Sequence, residues 1–193
     1  MKLVAITGSI GCGKTTIAKI IKRLGYAVFD LDAWVRTLYY NKKFLEKLKI
    51  NFSECVKNGD IDKRCLRNLV FSDSEKLKNL ENLIYPFLNK KIKNKISSIA
   101  KKNYVFFIDA ALLFEKGWDK YCDAIILADV DYDIQKQRVM KRDNISEKDF
   151  EKINNLQINN NDKKKFADFV VDTNKSANML KRELILIIKE LEN

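Results

Sequence analysis

Apolar residues in this chain fall in short runs that alternate with segments of helical spacing, the pattern of a mostly parallel sheet covered by helices. Leu3 to Thr7 (LVAIT) reads as a buried strand. Ile17, Ile20, Ile21 and Leu24 follow at i, i+3, i+4 and i+7, one face of a helix, and Gly25 marks its stop. Ala27 to Asp30 is the second strand, and a helix starts across Asp32 to Tyr40. Tyr104 to Asp109 (YVFFID) is the third strand, Ala124 to Leu127 the fourth and Phe169 to Val171 a short fifth. Ile134 to Lys141 reads as a helix. Leu180, Leu184, Ile187, Ile188 and Leu191 make a closing amphipathic helix.

The stretch from Asn41 to Asn103 breaks the alternation. Leu77, Leu80, Ile84, Leu88, Ile92, Ile96 and Ile99 keep a helical period, with Pro86 expected to end or kink one helix. No strand of comparable quality is expected there, so the stretch reads as a helical insertion between the second and third strands. Ser146-Glu147-Lys148-Asp149 has the form of a capping box opening another helix. Arg142 to Lys165, rich in Asn and Lys, is expected to be mobile and exposed. No internal repeat is present.

The length of 193 residues fits one domain, and an apolar fraction of 46% supplies a sizeable core. The chain has no His, which excludes Ser-His-Asp triads, Cys-His pairs and HExxH zinc sites. Acid–base chemistry falls to carboxylates, Lys, Tyr or Cys. The net charge of +11 suits a polyanionic partner or substrate, nucleic acid or a phosphate-rich small molecule; surplus surface Lys explains it equally well, because the Lys runs are scattered. Cys12, Cys55, Cys65 and Cys122 form no CxxC pair. With no signal-like segment and no apolar run near 18 residues, free thiols in a reducing cytoplasm are expected.

The strongest motif is Gly8-Ser9-Ile10-Gly11-Cys12-Gly13-Lys14-Thr15, a G-x-x-x-x-G-K-T phosphate loop between a strand and a helix. Its backbone N–H groups, from Gly8 on through Thr16, would cradle ATP phosphates at a helix N-terminus. Lys14 would neutralise the β/γ-phosphates and Thr15 would join the Mg²⁺ shell. Asp109, after four apolar residues at the end of a strand, has the form of an acid that holds Mg²⁺. Asp30 and Asp32 sit at the carboxyl end of the second strand, where i and i+2 project to one side. One of them is expected to cap the following helix. Glu115 follows the apolar run Leu112-Leu113-Phe114 and pairs with an Arg or lines the cleft. Arg138 and Arg142 share a helix face, from which they would close over phosphates. The guanine-reading Asn-Lys-x-Asp of GTPases is absent, since Asn174-Lys175-Ser176 continues with Ala177. A small-molecule kinase fits the size, with a nucleic-acid-stimulated ATPase and a nucleotide-dependent regulatory module as the other classes.

Seven ordered blocks resemble the dephospho-CoA kinase family: ITGSIGCGKTTIA, LGYAVFDLDAWVR, NGDIDKRCLRNLVF, LENLIYPFL, ALLFEKG, IQKQRVMKRD, and Gln157 with Ala167 to Asn174. The resemblance implies a three-layer α/β P-loop NTPase fold with a five-stranded parallel sheet. One domain would hold a core (1–40, 104–142, 165–193), a helical CoA-binding insertion (41–103) and a lid (143–164). It implies a cytoplasmic enzyme, monomeric or weakly homo-oligomeric, that uses MgATP to phosphorylate the ribose 3′-hydroxyl of dephospho-CoA, with no nucleic-acid or membrane partner. Asp32 maps to the proposed base, with Lys14, Arg138 and Arg142 beside it in catalysis. Asp32, Lys63, Arg64, Tyr85, Leu112 and Glu115 map to acceptor binding. Three positions depart from the family pattern: Tyr85 replaces its His, Ala111 its Pro and Lys63 its Arg. Lys63 loses the bidentate fork of a guanidinium, and Arg64 stands beside it.

Overall fold

A computed structural model describes residues 2–99 and 105–193 of the chain. The chain divides into two compact units, Met1–Leu31 with Ala100–Asn193, and Asp32–Ile99. The first is built on five parallel strands, β1 (Lys2–Thr7), β2 (Val28–Asp30), β5 (Val105–Asp109), β6 (Ala124–Asp129) and β7 (Phe169–Asp172), in the order β2-β5-β1-β6-β7. All five expected strands are present; Tyr104, the expected start of the third, lies outside the described residues.

Strand periodicity sorts the core. Val4, Ile6, Val105, Phe107, Ala124 and Ile126 face α1 (Lys14–Arg23) and α9 (Ala177–Glu192), which contribute Ile17, Ile20, Ile21, Leu180, Leu184, Ile188 and Leu191. The alternate positions Ala5, Phe106, Ile108, Ile125 and Leu127 are buried too, as a parallel sheet covered on both faces requires. Gly25 follows α1 at φ +94°, where the helix was expected to stop.

Between β6 and β7 run α6 (Tyr132–Asp143), α7 (Glu147–Asn154) and α8 (Asn160–Lys164). Ser146 caps α7 by accepting from Asp149 N–H, as the capping box foretold. Most residues of the segment from Arg142 to Lys165 are exposed, as the composition suggested. Phe150 and Lys163 are fully buried in it, because a few inward residues anchor otherwise polar helices.

The second unit holds α3 (Lys42–Asn51), a two-stranded hairpin of β3 (Val56–Lys57) and β4 (Asp60–Ile61), α4 (Lys63–Ser72) and α5 (Ser74–Ile99). The helix α2 (Leu31–Leu38) opens at the last residue of the first unit. Pro86 neither ends nor divides a helix: α5 runs through it for 26 residues. Ile84 and Leu88 are buried on either side of it and Phe87 packs edge-on against Phe44, so tertiary packing offsets the lost backbone hydrogen bond. The side chains of Ile92, Ile96 and Ile99 lie outside the described residues.

The hairpin is the element that the apolar pattern did not show. Its turn, Asn58-Gly59, has both residues at positive φ (51° and 82°), as a two-residue Asn-Gly turn demands. By folding the chain back it also overturns the expectation of four free thiols. Val56 pairs with Ile61, Asp62 N–H donates to Cys55 O, and Cys55 is thereby bonded to Cys65 at the start of α4, Cα to Cα 5.5 Å. Cys12 and Cys122 remain free.

Candidate active site

Gly8 to Gly13 join β1, the central strand, to α1, so the loop sits at the carboxyl edge of the sheet where α/β folds leave a ligand crevice. Gly13 is the N-cap of α1 at φ +84°, and a Cβ there would lie 2.6 Å from Thr173 Oγ1; both conformation and space reserve the position for glycine. Gly13 offers no side-chain cap, and the first turn of α1 carries no acid. The opening N–H groups and the positive end of the helix are thus left for an anion.

The loop is held from outside by side chains remote in sequence. Ser9 N–H donates to Asn160 Oδ1 (3.1 Å) and Ile10 N–H to Gln157 Oε1 (2.8 Å), while Ile10 C=O accepts from Gln135 Nε2 (2.7 Å). Thr173 Oγ1 donates to Cys12 C=O (2.9 Å) and accepts from Arg138 Nη1 (3.0 Å). The Cys12 thiol is pushed up to about 11, first by burial and then by the Asp129 carboxylate. At neutral pH it is a protonated packing group rather than a nucleophile.

A cavity of about 450 Å³ opens over the loop, lined by Gly8 to Thr16, Ala111, Arg138, Arg142 and Gln157. The fold therefore brings together the nine loop residues and both arginines that the sequence singled out. Lys14 is ion-paired with Asp109, the last residue of β5, whose neighbour across the sheet is Ile6 of β1. Arg142 donates twice to Asp143 at 2.7 Å, which fixes its guanidinium plane at the cavity rim. Thr15 is exposed at the start of α1. Among the described residues no group of three or more His, Cys, Asp or Glu is placed to hold a metal ion. The Thr15 hydroxyl and the Asp109 carboxylate fit magnesium nonetheless, because that ion takes one or two protein oxygens and completes its shell with phosphate and water.

Leu112 is half-buried in the turns after β5. Glu115 is engaged with the segment before β7: it accepts from Ile158 N–H (2.9 Å) and lies 3.0 Å from the Lys163 ammonium. The Lys163 side chain is 0% exposed and that of Glu115 16%, so this is a buried ion pair. Asp30 is exposed at the end of β2.

The remaining sequence candidates belong to the second unit. Asp32 is in the first turn of α2. Lys63 opens α4 with its ammonium 5.2 Å from the Tyr39 ring centroid and 5.8 Å from that of Tyr40. Arg64 donates its backbone N–H to the N-cap Asp62. The Tyr85 hydroxyl accepts from Asn89.

Residues 2–178 match the family model described as dephospho-CoA kinase. The chain belongs to the dephospho-CoA kinase family. A dephospho-CoA kinase of Bartonella quintana is 35% identical over 99% of this chain and 98% of its own length. The crystal structure of TT1252 from Thermus thermophilus superposes with a TM-score of 0.80 at 34% identity, covering 100% of this chain and 98% of that one. Dephospho-CoA kinase from Campylobacter jejuni gives a TM-score of 0.61 at 29% identity, over 98% and 96% of the two chains. The P-loop kinase fold that the family blocks implied is thus the fold of this chain.

Four residues that support the loop were not among the sequence candidates: Gln135, Gln157, Asn160 and Thr173. Gln135, Gln157 and Thr173 stand inside the family blocks, which was signal enough to find them. Asn160 is the middle of an Asn159–Asn161 run, and nothing in that run distinguishes it.

Proposed function

We infer that this chain transfers the γ-phosphoryl group of ATP to the ribose 3′-hydroxyl of dephospho-CoA, giving CoA and ADP in the final step of CoA biosynthesis. The observation that carries the reading is the family match along residues 2–178, reinforced by a relative alike over the full length. The phosphate-loop cavity supports it, and so does the charge of +11, which suits two polyanionic substrates.

In this reading the loop amides and Lys14 hold the ATP phosphates. Arg138 and Arg142 neutralise charge that grows on the transferring group. Thr15 and Asp109 would hold a magnesium ion, which supplies charge neutralisation across the β- and γ-phosphates when bound. Asp32 orients the acceptor hydroxyl and takes its proton, in a chain that has no His for the task. Lys63, Arg64, Tyr85, Leu112 and Glu115 are assigned to the acceptor side, within an acceptor-binding insertion (41–103) and beside a lid (143–164). For Glu115 the pairing with Lys163 makes that role one of supporting the wall rather than touching the acceptor. Rate comes mainly from positioning two reactants in line.

Among the described residues no helix is long and apolar enough to cross a membrane. The reading places the reaction in the cytoplasm, with a small-molecule acceptor rather than polynucleotide, by a monomer or weak homo-oligomer. ADP release measured with dephospho-CoA, AMP, adenosine and polynucleotide tests it: dephospho-CoA should stimulate turnover far above the others. Equal turnover with AMP would make the chain a nucleoside-monophosphate kinase, and stimulation by polynucleotide would make it a nucleic-acid ATPase.

A further inference from the structure

Asn160 makes more contacts to the phosphate-loop region than any single polar side chain needs for capping a five-residue helix, and α8 already has its cap in Asn159. The carboxamide of Asn160 is used at both ends. Its Oδ1 accepts from Ser9 N–H (3.1 Å) and from Ser9 Oγ (2.9 Å). Its Nδ2 reaches Asp129 Oδ1 (2.8 Å), Ala128 C=O (3.1 Å) and the Cys12 sulfur (3.2 Å). One side chain therefore joins the start of the loop, its middle and the end of β6. Asp129, on its other oxygen, is bridged by Lys164 at 2.7 Å.

We propose that Asn160 is a positioning residue for phosphoryl transfer: by holding Ser9 against the end of β6 it fixes the curl of the loop that presents N–H groups to the nucleotide phosphates. The inference rests on the reading that the cavity holds those phosphates. A loop amide that faces away from the ligand must find an acceptor within the protein, or the loop rearranges to supply one. Asn160 is that acceptor for Ser9, as Gln157 is for Ile10. Removing it takes the acceptor from Ser9 N–H and one donor from Asp129 in a half-buried place, and the relaxation that follows falls on the phosphate-binding backbone.

The test compares ligands that share adenosine but differ in phosphate. ADP binding is measured by titration calorimetry, and adenosine binding by displacement of ADP, on the wild-type chain and on Asn160→Ala. Loss of these half-buried hydrogen bonds predicts that Asn160→Ala weakens ADP by about tenfold while adenosine stays within about twofold. A merely structural role would lower both affinities together, and that result, or an unchanged ADP affinity, overturns the proposal. Failure of the wild-type chain to bind ADP would instead overturn the nucleotide reading on which the proposal stands.

A second pair of variants keeps the test open if Asn160→Ala folds poorly. Asn160→Asp retains the acceptor for Ser9 but sets a carboxylate against Asp129, so ADP affinity falls. Adding Asp129→Asn restores one donor and one acceptor across the same gap, at the loss of the Lys164 ion pair with Asp129. Recovery of the ADP-to-adenosine ratio in the double variant is expected; a ratio as poor as in Asn160→Asp alone overturns the assignment.

Discussion

The contacts that shape the phosphate loop bridge great lengths of chain, whereas those that shape the helical unit are mostly local. Ser9 and Asn160 are 151 residues apart, Cys12 and Thr173 161, and Lys14 and Asp109 95. In residues 32–99 the corresponding devices are short: Asp62 accepts from the N–H groups of Arg64 and Cys65, Cys55 is bonded to Cys65 ten residues on, and Lys76 pairs with Glu54 over 22 residues. The difference teaches where each unit is vulnerable. In the sheet unit, damage far from the loop in sequence reaches the chemistry. In the helical unit, local damage costs stability before it costs mechanism.

The largest expected effect is that of Lys14→Ala, which should remove phosphoryl transfer to background while leaving the far-UV spectrum unchanged, since Lys14 lines the cavity and adds little to the core. Turnover at the wild-type rate would mean that the loop does not hold the reacting phosphates. Asp32→Asn crosses the contrast between the units, because Asp32 lies in the helical unit yet is assigned a chemical role. A loss of roughly 10²–10⁴-fold in kcat, with the KM of both substrates nearly kept, is the span of general acid–base catalysis. A larger loss in Asp30→Asn would move the base to Asp30.

Lys163→Ala sharpens the contrast within the sheet unit. It leaves the Glu115 carboxylate buried without its counter-charge, and such a break costs about 3–5 kcal/mol. Denaturant unfolding measures this directly, and a loss under 1 kcal/mol would show the pair to be solvated. In the helical unit, the Cys55–Cys65 bond closes a short loop worth about 2–3 kcal/mol in the chain-entropy account. Unfolded without reductant, the chain should expose two titratable thiols, and four with it. The reduced protein should keep its kcat, because neither Cys55 nor Cys65 lines the phosphate-loop cavity.

The smallest effect is at Asp62, whose carboxyl is held at about 2 chiefly by the Lys57 ammonium and then by the Cys65 N–H group. A folded-state value below the unfolded one gives stability that is present above about pH 4 and is lost as the pH falls towards 2. Asp62→Asn keeps an acceptor for the cap and should flatten that acid limb in unfolding titrations. An unaltered limb would remove Asp62 from the account.

Much of the sheet unit was legible in the sequence because buried parallel strands leave unbroken apolar runs and the phosphate loop has a fixed spacing. All five strands follow from the first signal, and the helices α1 and α9 from the helical spacing of their apolar residues. The supports of the loop were not legible for a physical reason: a carboxamide such as that of Asn160 has no periodicity, and its partners are chosen by the fold. Pro86 does not end α5, because its intrinsic cost is local while Ile84, Phe87 and Leu88 hold the helix together through packing. The thiols misled because the Asn58-Gly59 turn, a readable signal, was not connected to the folding-back that brings Cys65 to Cys55. Lys63, Arg64 and Tyr85 were singled out through family blocks, and Asp32 first by its place after the second strand; their roles rest on kinetics.

The central claim is that the γ-phosphate of ATP is placed on the 3′-hydroxyl of dephospho-CoA. A single turnover with ATP labelled at the γ-phosphate, followed by separation of the products and release of the 3′-phosphate by a 3′-specific nucleotidase, tests this most directly. The account predicts that the label travels with CoA and is released from its 3′ position. Label recovered as inorganic phosphate, or on another acceptor while dephospho-CoA stays unmodified, would contradict it.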